Sequence, residues 1–152
     1  MDGVRTVGPF ENSGPWPPIP SQETTYTIRL QSSNTVNSVA DAVATMSLPS
    51  YVRFTGFTNP ADNSISYNND TRQVSWQIGA LSPSSSKVAA FQVAFLPSTT
   101  QRGTSPALVS EARVSGFDRY AQQAVQNTAP LINIQISNDP AYQNQYGSVE
   151  RQ

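Results

Sequence analysis

Ser84-Ser85-Ser86-Lys87 is the one stretch of this sequence that spells a nucleophile pattern, S-x-x-K. In that pattern a lysine amine takes the proton of a serine one helical turn away. The chemistry needs the serine at a helix start and the lysine on the same side of the next turn. Here the four residues fall in a serine- and proline-rich loop, and no Lys-Thr-Gly follows, so they are read as loop. Lys87, the only lysine, raises a second possibility: an intramolecular isopeptide bond to an asparagine, with Glu111 carrying the proton. That reaction requires a buried lysine. Lys87 precedes the inward alternation of its strand, and Glu111 falls on the outward face beside Arg113.

Asp62, Asp70, Asp118 and Asp139 sit among turn residues, where oxygen-rich clusters can bind calcium. None has D-x-D-x-D-G spacing, and they read as turn-forming and capping aspartates. Glycoside hydrolysis would need two facing carboxylates. The ten that exist are scattered, and no pair stands out. Asn69-Asp70-Thr71 is the one N-x-S/T sequon and reads as a plain turn. Histidine and cysteine are both absent. The commonest general base near neutral pH, the commonest transition-metal ligand and every thiolate chemistry go with them. The sequence assigns no catalytic, cofactor-binding or metal-binding residue, and the expectation is a protein that is not an enzyme.

The elements around these residues are short strands. In Ser64–Leu81, Ile65 and Tyr67 alternate with polar residues, Asn68-Asn69-Asp70 supplies turn chemistry, and Val74, Trp76 and Ile78 share one face. Gly79 is expected to end that run. Tyr26, Ile28 and Leu30 alternate in the same way, as do Phe91, Val93 and Phe95. Ala40, Ala42, Ala44, Met46 and Leu48 form another face, which fits a strand and, less well, a short helix. Val52 and Phe54 begin a further run. Leu108, Ser110, Ala112 and Val114 are expected to form one strand stopped by Gly116, and Ala121 to Ile136 a last apolar region. Seven to nine short strands separated by turn residues predict an all-β, antiparallel sandwich. Its core is a slab about 10 Å thick, which the indole of Trp76 would span.

The chain has 152 residues and suits one domain plus tails. Residues 1–20 end in Gly14-Pro15-Trp16-Pro17-Pro18-Ile19-Pro20 and are expected to be an extended, proline-rich linker. Their P-x-x-P spacing also suits an aromatic-lined groove, but a stiff lead-in to the domain is the favoured reading. Residues 21–130 are expected to form the sandwich, and residues 131–152 a terminal edge strand followed by a flexible, polar tail. The composition includes 20 Ser, 13 Thr, 11 Asn and 13 Gln. Charged residues are 12% with a net charge of −1, which excludes the Lys/Arg surplus a nucleic-acid binder needs. Nothing basic and amphipathic points to a membrane surface, and no apolar run is long enough to span a bilayer. MDGVRTVGPF has no apolar signal stretch, so an export signal or anchor would lie outside this chain.

Several stretches carry a resemblance. They are Ser21-Gln22-Glu23-Thr24-Thr25-Tyr26-Thr27-Ile28, Leu48-Pro49-Ser50-Tyr51-Val52 and Ile65-Ser66-Tyr67-Asn68. Thr71-Arg72-Gln73-Val74-Ser75-Trp76-Gln77-Ile78-Gly79 and Phe91-Gln92-Val93-Ala94-Phe95-Leu96-Pro97-Ser98 continue the series. Together, over roughly residues 20 to 130, they resemble the conserved-repeat, immunoglobulin-like domain of bacterial and archaeal cell-surface proteins, including large membrane-anchored chains of uncultured small-genome bacteria. The chain departs from that pattern in the polar insert Gln31–Ser38 and at Leu81-Ser82-Pro83-Ser84. The resemblance implies an immunoglobulin-like β-sandwich in an extracellular or cell-surface protein. It implies a spacer, stalk or adhesion module with no catalytic residues to carry over.

The expected partners are neighbouring domains of the same polypeptide, surface polysaccharide or another copy; no nucleic acid and no membrane insertion are expected. Two alternatives stand beside the structural module. A carbohydrate-binding module would need exposed coplanar aromatics, for which Tyr51, Phe57, Tyr120, Tyr142 and Tyr146 are the loop and tail candidates. Self-assembly by strand exchange would use residues 131–137, where Ile132, Ile134 and Ile136 alternate with Asn133 and Gln135.

Overall fold

The computed structural model describes residues 1–151, so Gln152 of the expected tail lies outside the described residues. The strands in chain order are β1 (Asp2–Val4), β2 (Thr24–Asn34), β3 (Val39–Ser47), β4 (Val52–Asn59), β5 (Ile65–Asn68), β6 (Gln73–Leu81), β7 (Ser85–Phe95), β8 (Ala107–Val109), β9 (Ala112–Asp118), β10 (Gln123–Ala129) and β11 (Ile132–Asn133). Nine of them make the two layers of an immunoglobulin-like antiparallel sandwich, in the orders β1-β2-β7-β4 and β10-β9-β3-β6-β5. The remaining two, β8 and β11, pair with each other.

The period-two pattern sets which side chains meet between the layers. Tyr26, Ile28 and Leu30 from β2 and Phe91, Val93 and Phe95 from β7 face Ala42, Ala44 and Met46 from β3 and Val74, Trp76 and Ile78 from β6. Trp76 is 4% exposed. Its cross-strand neighbours are Ile65 on β5 and Ala44 on β3. The run of alanines on β3 thus has a packing reason. The indole needs small residues beside it if the slab is to stay at sandwich thickness.

The β5–β6 turn is built as its asparagines predict. The Asn68 side chain accepts the backbone N–H groups of Asp70 (2.9 Å) and Thr71 (3.2 Å). Arg72 then takes a left-handed φ of 55° and turns its guanidinium back across the end of the sandwich. It donates to the carbonyls of Leu48 (3.1 Å), Pro49 (2.6 Å) and Val52, while the Leu48 N–H donates to the Arg72 carbonyl (2.9 Å). One arginine therefore holds the β3–β4 corner against the β5–β6 turn.

Residues 1–20 depart from the expected linker. Asp2, Gly3 and Val4 pair with Arg29, Ile28 and Thr27 as strand β1, and the chain then lies along the outer face of β2 and β7. The cause is on that outer face. Thr25, Thr27 and Gln92 point away from the core, yet all are buried. Ser13 N–H donates to Thr25 Oγ1 (2.7 Å), Asn12 Nδ2 to Thr27 Oγ1 (2.9 Å), and Gln92 Nε2 to the Glu11 carbonyl (2.9 Å). At Gly14, φ is +94° and a Cβ would stand 2.2 Å from the Glu23 carbonyl oxygen, so only glycine lets the chain lie this close.

The C-terminal region departs from the expected flexible tail in the same way. Ile134, Ile136 and Val149 are buried in the common core. Gly103 and Val149 bond through the Gly103 N–H (2.9 Å), and the Glu150 N–H donates to the Pro18 carbonyl (2.8 Å). Trp16 is stacked on Tyr146 at 4.4 Å, with the Arg5 guanidinium 5.3 Å from its ring centre. Asp139 fastens the two ends together. Its carboxylate accepts the N–H of Arg5 (2.6 Å), the N–H (2.6 Å) and hydroxyl (2.5 Å) of Thr6, and the N–H of Ala141 (2.9 Å).

Three strand boundaries also differ. The run Leu108 to Val114 is two strands in different sheets, β8 and β9, because the chain leaves the β8–β11 pair and joins the five-stranded layer at Ser110, which bonds Ser47 in both directions. Gly116 lies inside β9, where a Cβ would meet Val39 Cγ1 at 2.5 Å. Gly79 lies inside β6 opposite the bulge of β3, where Asp41 has a φ of 53°. The residues from Ala121 to Ile136 turn, form the exposed edge strand β10, and then cross to β11.

Two expectations follow from this packing. Trp76→Ala leaves a hole between Ile65 and Ala44 and should cost about 3–5 kcal/mol in urea unfolding; a loss under 1 kcal/mol would contradict the core assignment. For Asp139, burial alone raises the carboxyl pKa, but the Thr6 hydroxyl and the backbone donors of Thr6, Arg5 and Ala141 outweigh it and hold the group below its ordinary 3.8. A depressed folded pKa gives stability that is present above the unfolded value and is lost as pH falls through the folded one. Asp139→Asn should therefore cost ~2–3 kcal/mol at pH 7, and the gap to the natural chain should close on acidification below about pH 4. Asp2, held low by its bond to Arg29, titrates in both proteins, so the difference between the two denaturation curves isolates Asp139.

Candidate interaction surface

The residues singled out for chemistry do not come together. Ser84 has a φ of 57° in the tight β6–β7 turn, and Ser85 Oγ donates to the Ser82 carbonyl (2.5 Å). Lys87 is exposed, and its amine donates to the Ile78 carbonyl (2.8 Å) rather than to a serine. Glu111 lies beside Gln73 and Arg113, toward the other end of β6 from Ile78.

Asp62 and Asp118 each cap a turn, while Asp139 joins the two ends of the chain. Asp62 accepts from the Ser64 N–H (3.0 Å). Asp118 accepts from the N–H groups of Tyr120 (2.8 Å) and Ala121 (2.9 Å) and from Asn37 Nδ2 (2.9 Å). These donors favour the charged form and hold both carboxyls below the usual range, Asp62 first through Ser64 and Asp118 first through Ala121. Among the described residues no group of three or more carboxylates gathers around one point.

The five aromatic candidates are likewise dispersed. Tyr51 meets Phe95 edge-on at 5.7 Å, and Tyr142 and Tyr146 flank Trp16. Phe57 leans on Phe10 at 6.4 Å, and Tyr120 stands alone at the β9–β10 tip, 86% exposed. They build no shared platform for a sugar ring. Ile132, Ile134 and Ile136 are buried in their own core, so residues 131–137 are not a strand free to leave.

What the fold does present to a partner is backbone. Each sandwich layer has two edges, and three of the four are blunted. β1 has three residues and β5 four. β4 carries Arg53, loses register between Phe54 and Thr58, and stops at Asn59-Pro60. The fourth edge, β10, runs seven residues in unbroken register with β9. Its sequence, Gln-Ala-Val-Gln-Asn-Thr-Ala, has no charge and no proline. Beside it a groove of about 410 Å³ opens between the hairpin β9–β10 and the end of β2, with Val39, Ala42, Leu81, Val114 and Val125 along its lining. β1 leaves the β2 edge uncovered beyond Arg29, and Gln31 to Asn34 line one side of the groove. The sequence signal for this surface was the neutral run 121–129. It reads as an ordinary strand until the other edges are known.

No protein-family model matches the sequence, and no curated protein matches it. Solved structures do match in shape. Three N-terminal domains of the type V pili tip protein from Porphyromonas gingivalis superpose with a TM-score of 0.51 at 11% identity, covering 65% of this chain and 22% of that one. Two domains of the major pilin SpaD from Corynebacterium diphtheriae give 0.47 at 15% identity, covering 76% and 47%. The major pilin subunit BcpA of Bacillus cereus gives 0.45 at 12% identity, covering 78% and 36%. The chain spans less than half the length of each of these structures. At such identities the likeness is one of fold: an all-β sandwich of the kind the Porphyromonas gingivalis pilus tip protein uses.

Proposed function

We propose that the domain is a non-enzymatic structural module of a cell-surface protein, a spacer, stalk or adhesion unit that holds its place through its neighbours in the chain and through other copies. One observation carries the reading. The two ends of the chain are stitched to the same sandwich by the Asp139 carboxylate on Arg5 and Thr6, by the backbone bond from Glu150 to Pro18, and by Tyr146 stacked on Trp16. Ends fixed in this way resist unravelling when a chain is pulled or met by a protease, which suits an exposed position outside the cell. The unit is residues 1–151 together, since the segments before and after 21–130 complete its core and cover its outer face. The shared fold with a pilus tip protein agrees with this and does not by itself assign a role.

The test is location. Antibodies raised against the folded domain should label intact cells of its source, and protease added outside should remove the label. Label that appears only after permeabilisation would overturn the proposal.

A further inference from the structure

The long neutral edge β10 is a dimer interface: we infer that two copies of this chain pair their β10 strands antiparallel about a two-fold axis, joining the five-stranded layers into one continuous sheet. Exposed strand edges are normally blunted by charge, proline, bulges or brevity, because an unpaired row of N–H and C=O groups templates association. This protein applies charge, bulges or brevity to β1, β4 and β5 and none of them to β10, where one N–H, that of Thr128, is met by the neighbouring Asn127 side chain (2.9 Å). That contrast within one molecule marks the edge as one meant to be filled.

The occupant is a second copy because the strand complements itself. A two-fold axis through Gln126 overlaps all seven residues. Gln126 then stands opposite Gln126 of the second copy, Val125 opposite Asn127, Ala124 opposite Thr128, and Gln123 opposite Ala129. No charge faces its like anywhere along the seam, and antiparallel pairing is what a two-fold axis imposes. The flanks agree independently. Tyr120 (86% exposed) and Leu131 (54% exposed) are large apolar residues left in water, and they lie just beyond opposite ends of β10. In the antiparallel arrangement the tip carrying Tyr120 in one copy reaches the end carrying Leu131 in the other, and this happens twice. A partner strand from an unrelated peptide would satisfy the edge but would not bring these two residues together. The inference does not depend on where the domain resides.

Analytical ultracentrifugation of the full chain across the micromolar range reads the outcome. The expected result is a concentration-dependent dimer. Gln126→Lys, which sets two ammonium groups face to face on an exposed position, should be monomeric over the same range, with the melting temperature that the natural chain shows when diluted to monomer. Because the natural chain has no cysteine, Gln126→Cys should form a covalent dimer under mild oxidation. Directly opposed residues in an antiparallel pair have Cα atoms about 4.5–5.5 Å apart, within disulfide reach. Ser66→Cys, on the exposed face of the short edge β5, should not cross-link. A natural chain that stays monomeric throughout, a Gln126→Lys dimer as strong as the natural one, or equal cross-linking at Ser66 and Gln126 would each overturn the inference. So would a monomer whose β10 edge captures only extended peptides of other sequence.

Discussion

The ladder between β2 and β7 sets the terms for everything else in this molecule. Eleven residue pairs, from Thr24 opposite Phe95 to Asn34 opposite Ser85, run without a break in register. Over Thr24–Ile28 and Ala89–Phe95 both faces of these strands are buried. An antiparallel sheet ordinarily leaves one face to water, and burying both demands a second cover. The cover here is the first twenty residues, which are irregular chain and so bring their own unpaired backbone groups. Those groups need partners if they are to lie on a buried surface. The threonine hydroxyls of β2, Gln92 of β7 and the carboxylate of Asp139 are those partners.

This explains a composition that looks indifferent at first sight. Serine, threonine, asparagine and glutamine are short or neutral groups that can both donate and accept. They bond backbone without the desolvation cost of a full charge. The protein has two ion pairs among its described residues, Arg29 with Asp2 and Arg53 with Glu23, both partly exposed. Pairs of that kind contribute little. The charged groups that matter act on backbone instead: Arg72 on three carbonyls at one corner, Asp139 on three N–H groups and a hydroxyl at another. In both cases one side chain fixes two segments far apart in sequence.

The sandwich was legible because its signal is local. Alternation at Tyr26–Leu30, Ala40–Leu48, Val74–Ile78 and Phe91–Phe95 reports which face meets the other layer, and an asparagine-rich turn reports where the chain reverses. The alanines of β3 show the limit of that method. Their size makes sense only beside the indole of Trp76, a neighbour one strand away. The terminal segments were illegible for a related reason. Gly14-Pro15-Trp16-Pro17-Pro18 has the composition of a free linker, and what holds it down comes both from Thr24 on β2 and from Tyr146 and Glu150, more than a hundred positions later. The threonines at 25 and 27 carried a faint clue: β-branched residues on a supposed water face also suit a buried one. Asp139 reads as a turn-forming aspartate because one that caps its own turn and one that clasps the opposite end of the chain look the same in sequence.

With no histidine, no cysteine, and Asp62, Asp118, Asp2 and Asp139 committed to turns or to bonds within the fold, the chain has little side-chain chemistry left for recognition. What remains in quantity is backbone hydrogen bonding, and a β-sandwich exposes that only at its edges. The position of each blunting feature then becomes informative. Arg53 and the register break of β4 protect one side of the first layer, and the brevity of β1 and the packing of Gly3 against Ile132 and Ile136 protect the other. The second layer is guarded at β5 by its length alone. Against that pattern the seven neutral, regular residues of β10 are not an accident of composition, since charge was available four and five residues before Gln123, at Arg119 and Asp118, and was kept out of the strand. The same constraint that makes the fold poor in chemistry directs whatever it binds to this one side.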